Sequence, residues 1–184
     1  ALAAGADLIN DVWGFRRAGA IDAVRDSRCG LTVMHMLGEP QTMQRGEPAY
    51  DDVVGDVRAF LDARVDALMG AGIAKARISV DPGFGFGKVT IEHNYALLAR
   101  LRETAPRPPA GAAPFPILAG MSRKSMLGAV TGRAAPQERM AASIAAAVCA
   151  LERGAAIVRV HDVAQTVDAL KIWAAVRAAQ RTAR

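Results

Sequence analysis

The sequence has few cysteines, few aromatic residues and no long apolar run. Its 2 cysteines, Cys29 and Cys149, form no C-x-x-C pair, and no histidines stand near them at metal-ligand spacing. This pattern excludes a disulfide framework or a zinc site and predicts two reduced thiols. The most apolar window, Ala141 to Leu151, is shorter than the about 20 residues that cross a bilayer. The chain opens without an initiator Met or a charged n-region, so we expect a cytoplasmic protein with no signal peptide and no membrane contact.

Acidic residues are in the minority. The 23 Lys and Arg against 18 Asp and Glu give a net charge of +5 and a pI near 9.8. A nucleic acid is one partner that suits this charge. The basic residues are scattered along the chain, however, so we expect a small anionic ligand instead and no nucleic acid.

Short apolar runs alternate with segments of helical period five times. The predicted strands are Asp7–Val12, Leu31–Met36, Ala76–Asp81, Phe115–Ala119 and Ala155–Val160. The helices predicted to follow them are Ala18–Arg28, Asp51–Ala71, Asn94–Thr104, Pro136–Arg153 and Ala164–Ala179. Such alternation indicates an α/β protein with parallel strands covered by helices.

The length of 184 residues predicts one domain spanning 1–184. A closed (β/α)8 barrel, or TIM barrel, needs about 250 residues. We therefore predict a barrel truncated to about its last five β/α units, with the first units missing. A complete, doubly wound five-stranded sheet is the alternative, although no G-x-G-x-x-G turn follows the first strand.

Polar side chains gather where the predicted strands end. In a barrel the carboxyl ends of the strands form one rim, which carries the chemistry. We expect the proline-rich stretch Pro106–Pro116 to lie on the opposite face. The strand-end residues are Asn10, Met34-His35, Asp81, Ser122-Arg123-Lys124, and Arg159 with His161.

The segment Asp81-Pro-Gly-Phe-Gly-Phe-Gly-Lys88 combines a carboxylate, alternating glycines and two phenylalanines. The glycines allow close approach to a flat ligand, and Phe84 and Phe86 offer aromatic faces. A carboxylate here suits bidentate binding of a 2-aminopyrimidine edge. The alternative is an Asp81 that only caps the turn.

Two further segments favour an anion. Gly120-Met-Ser-Arg-Lys-Ser125 offers hydroxyls, amides and two cations at the start of a short helix. Arg159 and His161 alternate on one predicted strand and suit a phosphate, with Asp162 placed to orient the imidazole. Ser122 as a simple helix cap and His161 as a core residue are the alternatives.

With these residues assembled, the chain resembles the dihydropteroate synthase family. The resemblance rests on five segments, which follow the family's order along nearly the whole chain. They are Ile9-Asn-Asp-Val12, Met34-His-Met-Leu-Gly-Glu-Pro-Gln-Thr-Met-Gln44, Asp81–Lys88, Gly120–Ser125 and Arg159-Val-His-Asp-Val163.

The resemblance implies a transferase that joins p-aminobenzoate to 6-hydroxymethyl-7,8-dihydropterin diphosphate and releases pyrophosphate. It implies that the catalytic set is Lys124, Asp81, Arg159 and His161, and that Ser125 binds the p-aminobenzoate carboxylate. Arg159 and His161 would hold the diphosphate. The implied pterin-binding residues are Asn10, Val12, Met34, Asp81, Phe86, Gly120 and Lys124.

The resemblance also implies Mg²⁺, a homodimer and susceptibility of the family to sulfonamides. The family's metal-contacting Asn, a further pterin-binding Asp and two mobile loops belong to earlier β/α units. We therefore expect no metal ligand within these 184 residues and weak or no catalysis by this polypeptide alone.

Two enzyme alternatives share parts of this pattern. A methyltetrahydrofolate:corrinoid methyltransferase barrel would share the pterin pocket but has no use for the Ser-Arg-Lys-Ser segment together with Arg-x-His. An aldolase-like barrel would need Lys124 desolvated and inside a strand, whereas it stands beyond the strand end.

Overall fold

The computed structural model describes residues 1–38, 50–88 and 91–182. Five parallel strands form one sheet in the order β1-β2-β3-β4-β5. A doubly wound sheet reverses its strand order at a switch point, and this sheet does not. The sequential order is that of a β/α barrel. The strands are β1 (Leu8–Asp11), β2 (Gly30–Met34), β3 (Ile78–Asp81), β4 (Ile117–Ala119) and β5 (Ala155–Val158).

Six α-helices accompany the strands in the described part of the chain. The same part of the chain has four short 3-10 helices, at Leu2–Ala4, Lys75–Arg77, Leu101–Thr104 and Pro136–Arg139. The α-helices are α1 (Ala20–Arg25), α2 (Val53–Gly70), α3 (Glu92–Ala99), α4 (Ser125–Thr131), α5 (Met140–Glu152) and α6 (Val163–Thr182).

All five predicted β/α pairs are present, but most elements are shorter than predicted. The predicted helix Asn94–Thr104 divides into α3 and a 3-10 turn, and Pro136–Arg153 begins with a 3-10 turn before α5. β5 ends at Val158, so Arg159 and His161 lie beyond the strand rather than on it. The short helix expected after Lys124 is α4.

The core lies between the sheet and the helices. Along α2, apolar residues spaced three and four apart are buried, whereas Phe60 beside them is only partly buried. The buried residues are Val53, Val57, Leu61, Val65 and Leu68. α5 differs from the most apolar face of its sequence. It buries Ser143, Ala146, Ala147 and Ala150, while the larger Met140 is 39% exposed. Small side chains let this helix pack closely on its neighbours.

Both cysteines are free, as predicted, with Cys29 buried and Cys149 exposed. Among the described residues no helix combines the length and apolarity needed to span a membrane. The stretch 106–116 leads from the α3 side into β4 and is fixed at its end by the buried Phe115. Lys75, which precedes β3, donates to the carbonyl of Ala113, so this stretch lies at the amino ends of the strands, as expected.

Candidate active site

Side chains on one face of the sheet lead to its carboxyl edge. Parallel register places Asn10, Thr32 and Ser79 level with one another, and Met34 level with Asp81. Because strand side chains alternate between faces, Asp81 shares the face of Ser79. The hydroxyls of Thr32 and Ser79 lie 2.7 Å apart and are buried, level with Asn10 and two residues before Asp81 along the strand direction. The sheet therefore carries Asn10 and Asp81 to a common edge.

A cavity of about 180 Å³ lies at this edge, beyond the ends of β4 and β5. Its lining joins two segments that are far apart in the chain. These residues are Gly120, Ser122 and Lys124 after β4, and Arg159, Val160 and His161 after β5. Two residues predicted to bind pterin, Gly120 and Lys124, thus share one cavity with the two predicted to bind the diphosphate, Arg159 and His161.

Two buried polar atoms beside this cavity lack hydrogen-bond partners within the described residues. They are Nδ2 of Asn10, a donor, and Oδ2 of Asp81, an acceptor. Arg159 reaches both residues: its Nη1 donates to Oδ1 of Asn10, and its Nη2 lies 3.7 Å from Oδ2 of Asp81. Since a buried polar group without a partner is costly, the pair forms a donor-and-acceptor site for a polar ligand edge.

The loop after β3 turns tightly around Asp81. Oδ1 of Asp81 accepts from the Gly83 amide at 2.8 Å, and the Gly85 amide donates to Oδ1 of Asn94 at 2.7 Å. Gly83 has φ +70°, and a Cβ there would lie 1.9 Å from the carbonyl oxygen of His35. Only glycine allows the loop to approach β2 so closely. The cap and the predicted ligand contact are compatible, because the Gly83 amide uses one lone pair of Oδ1, and a carboxylate oxygen can accept a second hydrogen bond.

Phe84 and Phe86 have different environments. Phe84 is completely buried in the core, so it offers no face to a ligand, contrary to the sequence-based expectation. Phe86 is partly exposed, and Nζ of Lys124 lies 4.5 Å from its ring centroid. Lys124 Nζ also donates to the carbonyl of Phe84. Lys124 thereby joins the loop after β3 to the segment after β4.

Burial shifts the pKa values of both charged groups next to the loop. The pKa of Asp81 is raised by burial, against the Gly83 amide and the charges of Arg159, Lys124 and Lys88. The pKa of Lys124 is lowered by burial to about 8, while the charge of Asp81 opposes this shift. Lys124 is therefore desolvated although it stands beyond the end of a strand.

The imidazole of His161 is oriented by Ser122, not by Asp162. Its Nδ1 lies 3.0 Å from Oγ of Ser122, and its backbone amide donates to the same oxygen at 3.2 Å. Asp162 instead accepts two hydrogen bonds from the Arg123 guanidinium, at 2.6 and 3.2 Å. Arg123 has φ +60°, a strained value that this ion pair helps to hold. The segments after β4 and β5 are thus bound to each other.

Six predicted site residues are not among those that line this cavity: Asn10, Val12, Met34, Asp81, Phe86 and Ser125. Met34 is fully buried at the end of β2, with its Cγ near Gly83. Val12 is half-buried just after β1, and Ser125 is exposed at the first residue of α4. Their ligand roles stay predictions. Residues 39–44 of the segment that begins at Met34 lie outside the described residues.

The sequence did not assign a role to His35 or Lys88, yet both are buried behind the loop after β3. Nζ of Lys88 lies 3.0 Å from Nδ1 of His35. Both residues belong to segments that carry the family resemblance, but neither stands at a position that the motif links to a ligand. Their pairing has no local signal in the sequence, because 53 positions separate them.

A larger groove of about 620 Å³ lies along α1 and the loop after β1. Arg16, Arg17, Arg25 and Arg64 line it, but none of the predicted site residues does. Arg64 already donates to the carbonyls of Gly14 and Phe15 at 2.8 and 2.9 Å. In residues 1–38, 50–88 and 91–182, no three His, Cys, Asp or Glu side chains are grouped so that they could hold a metal ion.

Comparison with known proteins places this site in a family. Residues 1–161 match the family model described as pterin binding enzyme. The chain is 48% identical over 174 residues to a dihydropteroate synthase of Neisseria meningitidis, covering 93% of this chain and 59% of that protein. It therefore spans about three fifths of the length of this curated relative.

Solved structures agree with the sequence comparison. A dihydropteroate synthase of Burkholderia cenocepacia complexed with 7,8-dihydropteroate is 71% identical, with a TM-score of 0.93 over 98% of this chain and 64% of that one. The Yersinia pestis enzyme in a sulfonamide drug complex is 42% identical, with a TM-score of 0.85 over 97% of this chain and 62% of that one. The fold is accordingly part of a TIM barrel. The chain belongs to the family of pterin binding enzymes, and the three relatives described above are dihydropteroate synthases.

Proposed function

We propose that this chain supplies the pterin and diphosphate sites of a dihydropteroate synthase. The reaction condenses 6-hydroxymethyl-7,8-dihydropterin diphosphate with p-aminobenzoate and yields 7,8-dihydropteroate and pyrophosphate. The observation that carries the proposal is the pair of unpartnered buried atoms, Nδ2 of Asn10 and Oδ2 of Asp81, beside one cationic cavity. The name of the Burkholderia cenocepacia complex, which contains the product, supports it.

The pterin ring fits the chemistry of this pair. Its 2-amino group and neighbouring ring N–H are two parallel donors, which a carboxylate such as Asp81 accepts. Nδ2 of Asn10 supplies a donor for a ring nitrogen, and Lys124 supplies one for the carbonyl edge. Phe86 offers an aromatic ring for stacking, and Nζ of Lys124 lies 4.5 Å from the centroid of that ring. Each polar edge of the ring thereby finds a complementary side chain.

The cations after β5 suit the leaving group. Arg159 and His161 line the same cavity as Lys124 and bind the diphosphate in this proposal. The C–O bond to the diphosphate breaks, the pterin ring spreads the positive charge of the methylene carbon, and the aniline nitrogen attacks that carbon. The attacking nitrogen then loses its proton to solvent. The protein contributes position and charge stabilisation, so no strongly basic side chain is required.

The p-aminobenzoate part of the proposal rests on Ser125 at the start of α4. Ser125 is exposed and follows Lys124, which lines the cavity. A sulfonamide would compete at the same place, and the Yersinia pestis complex with such a drug supports this reading.

We also propose Mg²⁺, a homodimer and a cytoplasmic location for the whole protein. The described residues do not supply a metal site, so no step of the reaction is assigned here to the ion. The loops and the metal- and pterin-binding residues expected from earlier β/α units are not among these residues. We therefore expect this polypeptide to bind pterin but to catalyse the reaction weakly or not at all. The free cysteines support a reducing compartment.

Two other reactions are less well supported. A corrinoid methyltransferase would not need the Ser122–His161 contact or Arg159 in the cavity. For an aldolase, desolvated Lys124 is the favourable observation, but its Nζ is held by the Phe84 carbonyl and the Phe86 ring as a cation.

Calorimetric titration of the purified chain with 6-hydroxymethyl-7,8-dihydropterin diphosphate tests the proposal. Asp81→Ala and Lys124→Ala should each weaken binding about 10- to 100-fold, because each removes a charged hydrogen bond worth about 1.5–3 kcal/mol. Asp168→Ala and Lys171→Ala are matched controls, since these residues form an exposed ion pair on α6. Equal affinity of the chain and both site variants would refute the proposal.

A further inference from the structure

Lys88 is a buried lysine that lies behind the site and does not line its cavity. Its side chain is 8% exposed, and its Nζ has three acceptors. They are the carbonyl of Gly83 at 2.8 Å, the carbonyl of Phe86 at 3.0 Å and Nδ1 of His35 at 3.0 Å. An ammonium group has three donors, so these contacts use all of them.

These contacts hold the loop after β3 from the inside. The Phe86 amide donates to the Gly83 carbonyl at 3.1 Å, which closes a turn, and Lys88 binds the two carbonyls of that turn. The Gly83 amide orients Asp81, and the same turn carries the Phe86 ring. One buried ammonium group therefore fixes both the carboxylate and the aromatic face proposed to bind pterin.

The third contact requires a neutral imidazole. Burial, together with the charges of Lys88 and Arg16, lowers the pKa of His35 to about 3. Its Nδ1 is then an acceptor, and its ring packs edge-on against Phe60 at 5.0 Å. Lys88 thus connects the loop to the rigid end of β2 without a competing charge.

Lys88 also differs from the other cations around Asp81. Lys124 and Arg159 line the cavity, whereas Lys88 lies behind the loop, bound to the carbonyls of Gly83 and Phe86. The groups facing Asp81 are Lys88 on its own loop, Lys124 after β4, Arg159 after β5 and the neutral Asn10 on β1. Burial lowers the pKa of Lys88 to about 7, although the charge of Asp81 opposes this shift, so Lys88 carries its charge on the acid side of neutrality.

We infer that Lys88 is a positioning residue for pterin recognition, which holds the Phe86 ring in place and keeps the Asp81 carboxylate ionised when the ligand is bound. The inference rests on the proposed function. Lys88 thereby contributes to specificity for a ligand with two parallel hydrogen-bond donors, because the carboxylate of Asp81 accepts from both donors only when it is ionised.

The test compares Lys88→Met, which removes the charge at similar volume, with Lys88→Arg, which keeps it. The probe is 6-hydroxymethyl-7,8-dihydropterin without the diphosphate, titrated from pH 5 to pH 8. Affinity should fall on the acid side as Asp81 takes up a proton. We call this fall in affinity the acid limb. In Lys88→Met the midpoint of the acid limb should rise by about one pH unit, as expected when an opposite charge near a carboxylate is lost.

Two controls separate charge from shape. Lys88→Arg should keep the acid limb of the parent protein, and Phe86→Ala should weaken binding at every pH without moving the limb. Circular dichroism establishes whether each variant is folded. If Lys88→Met does not fold, Lys88→Gln takes its place as the neutral variant. An acid limb that stays in place in the folded neutral variant would overturn the inference, as would an equal shift in Lys88→Arg.

A second measurement does not depend on ligand. Carboxyl carbon NMR follows the titration of Asp81 in the free protein, and the neutral variant should raise the pKa of Asp81. If the parent protein binds no pterin, the proposed function fails, and this titration still decides whether Lys88 controls the charge of Asp81. An unchanged Asp81 titration would overturn the inference.

Discussion

Replacing Gly83 with alanine should damage the loop that carries Asp81. Gly83 has φ +70°, and an added Cβ would lie 1.9 Å from the carbonyl oxygen of His35. The left-handed conformation costs a residue with a Cβ about 1–2 kcal/mol. Relieving the clash requires the backbone to move by about 1 Å, and such overpacking costs about 1–3 kcal/mol. We therefore expect a loss of about 2–5 kcal/mol in the free energy of unfolding.

Gly111→Ala is the matched control. Gly111 has φ +77°, but a Cβ there would meet no atom within 4 Å. It should therefore cost only the conformational part, about 1–2 kcal/mol. The difference between the two variants isolates the close approach of Gly83 to β2.

Denaturant unfolding measures both stabilities, and calorimetry with 6-hydroxymethyl-7,8-dihydropterin measures the site. Gly83→Ala should also weaken pterin binding, because the Gly83 amide orients Asp81 and its carbonyl binds Lys88. Gly111→Ala should bind like the parent protein. Equal stability and equal affinity of the two variants would show that the reasoning about this loop is wrong.

Three further predictions concern the core and the anion site. The pKa of His35 is lowered by burial to about 3, so the unfolded chain takes up more protons below its ordinary value of 6.5. The parent protein should thus lose stability as the pH falls from 6.5 toward 3, and melting curves should show a weaker loss in His35→Asn. Leu61→Ala should reduce the free energy of unfolding by about 2–5 kcal/mol, whereas Val130→Ala, at a 61% exposed position, should change it little. Ser122→Ala frees the His161 ring and should weaken binding of inorganic pyrophosphate several-fold in calorimetry, with equal affinity counting against the orienting role.

The sequence indicated the site because strand geometry is local. Once β1, β3 and β5 are recognised, the two-residue alternation and the common direction of parallel strands bring Asn10 and Asp81 to one edge, with Arg159 just past it. The spacing of apolar residues along α2 likewise matches its buried face. These inferences need only the positions of residues within one element.

Other features depended on how the elements pack. The most apolar face of α5 is not its buried face, because neighbouring elements fit its small residues better than Met140. Asp162 pairs with Arg123 and leaves His161 to Ser122, a choice made by the approach of the segments after β4 and β5.

By itself the sequence determined the β/α order, the family and the strand-end residues, since these follow from patterns along the chain. Only the tertiary structure decided that Lys88 lies against His35, that Phe84 belongs to the core, and that Asn10 and Asp81 each keep a buried atom without a hydrogen-bond partner among the described residues. Such contacts join residues from different β/α units. Their partners are selected by packing in three dimensions, for which spacing along the chain carries no signal.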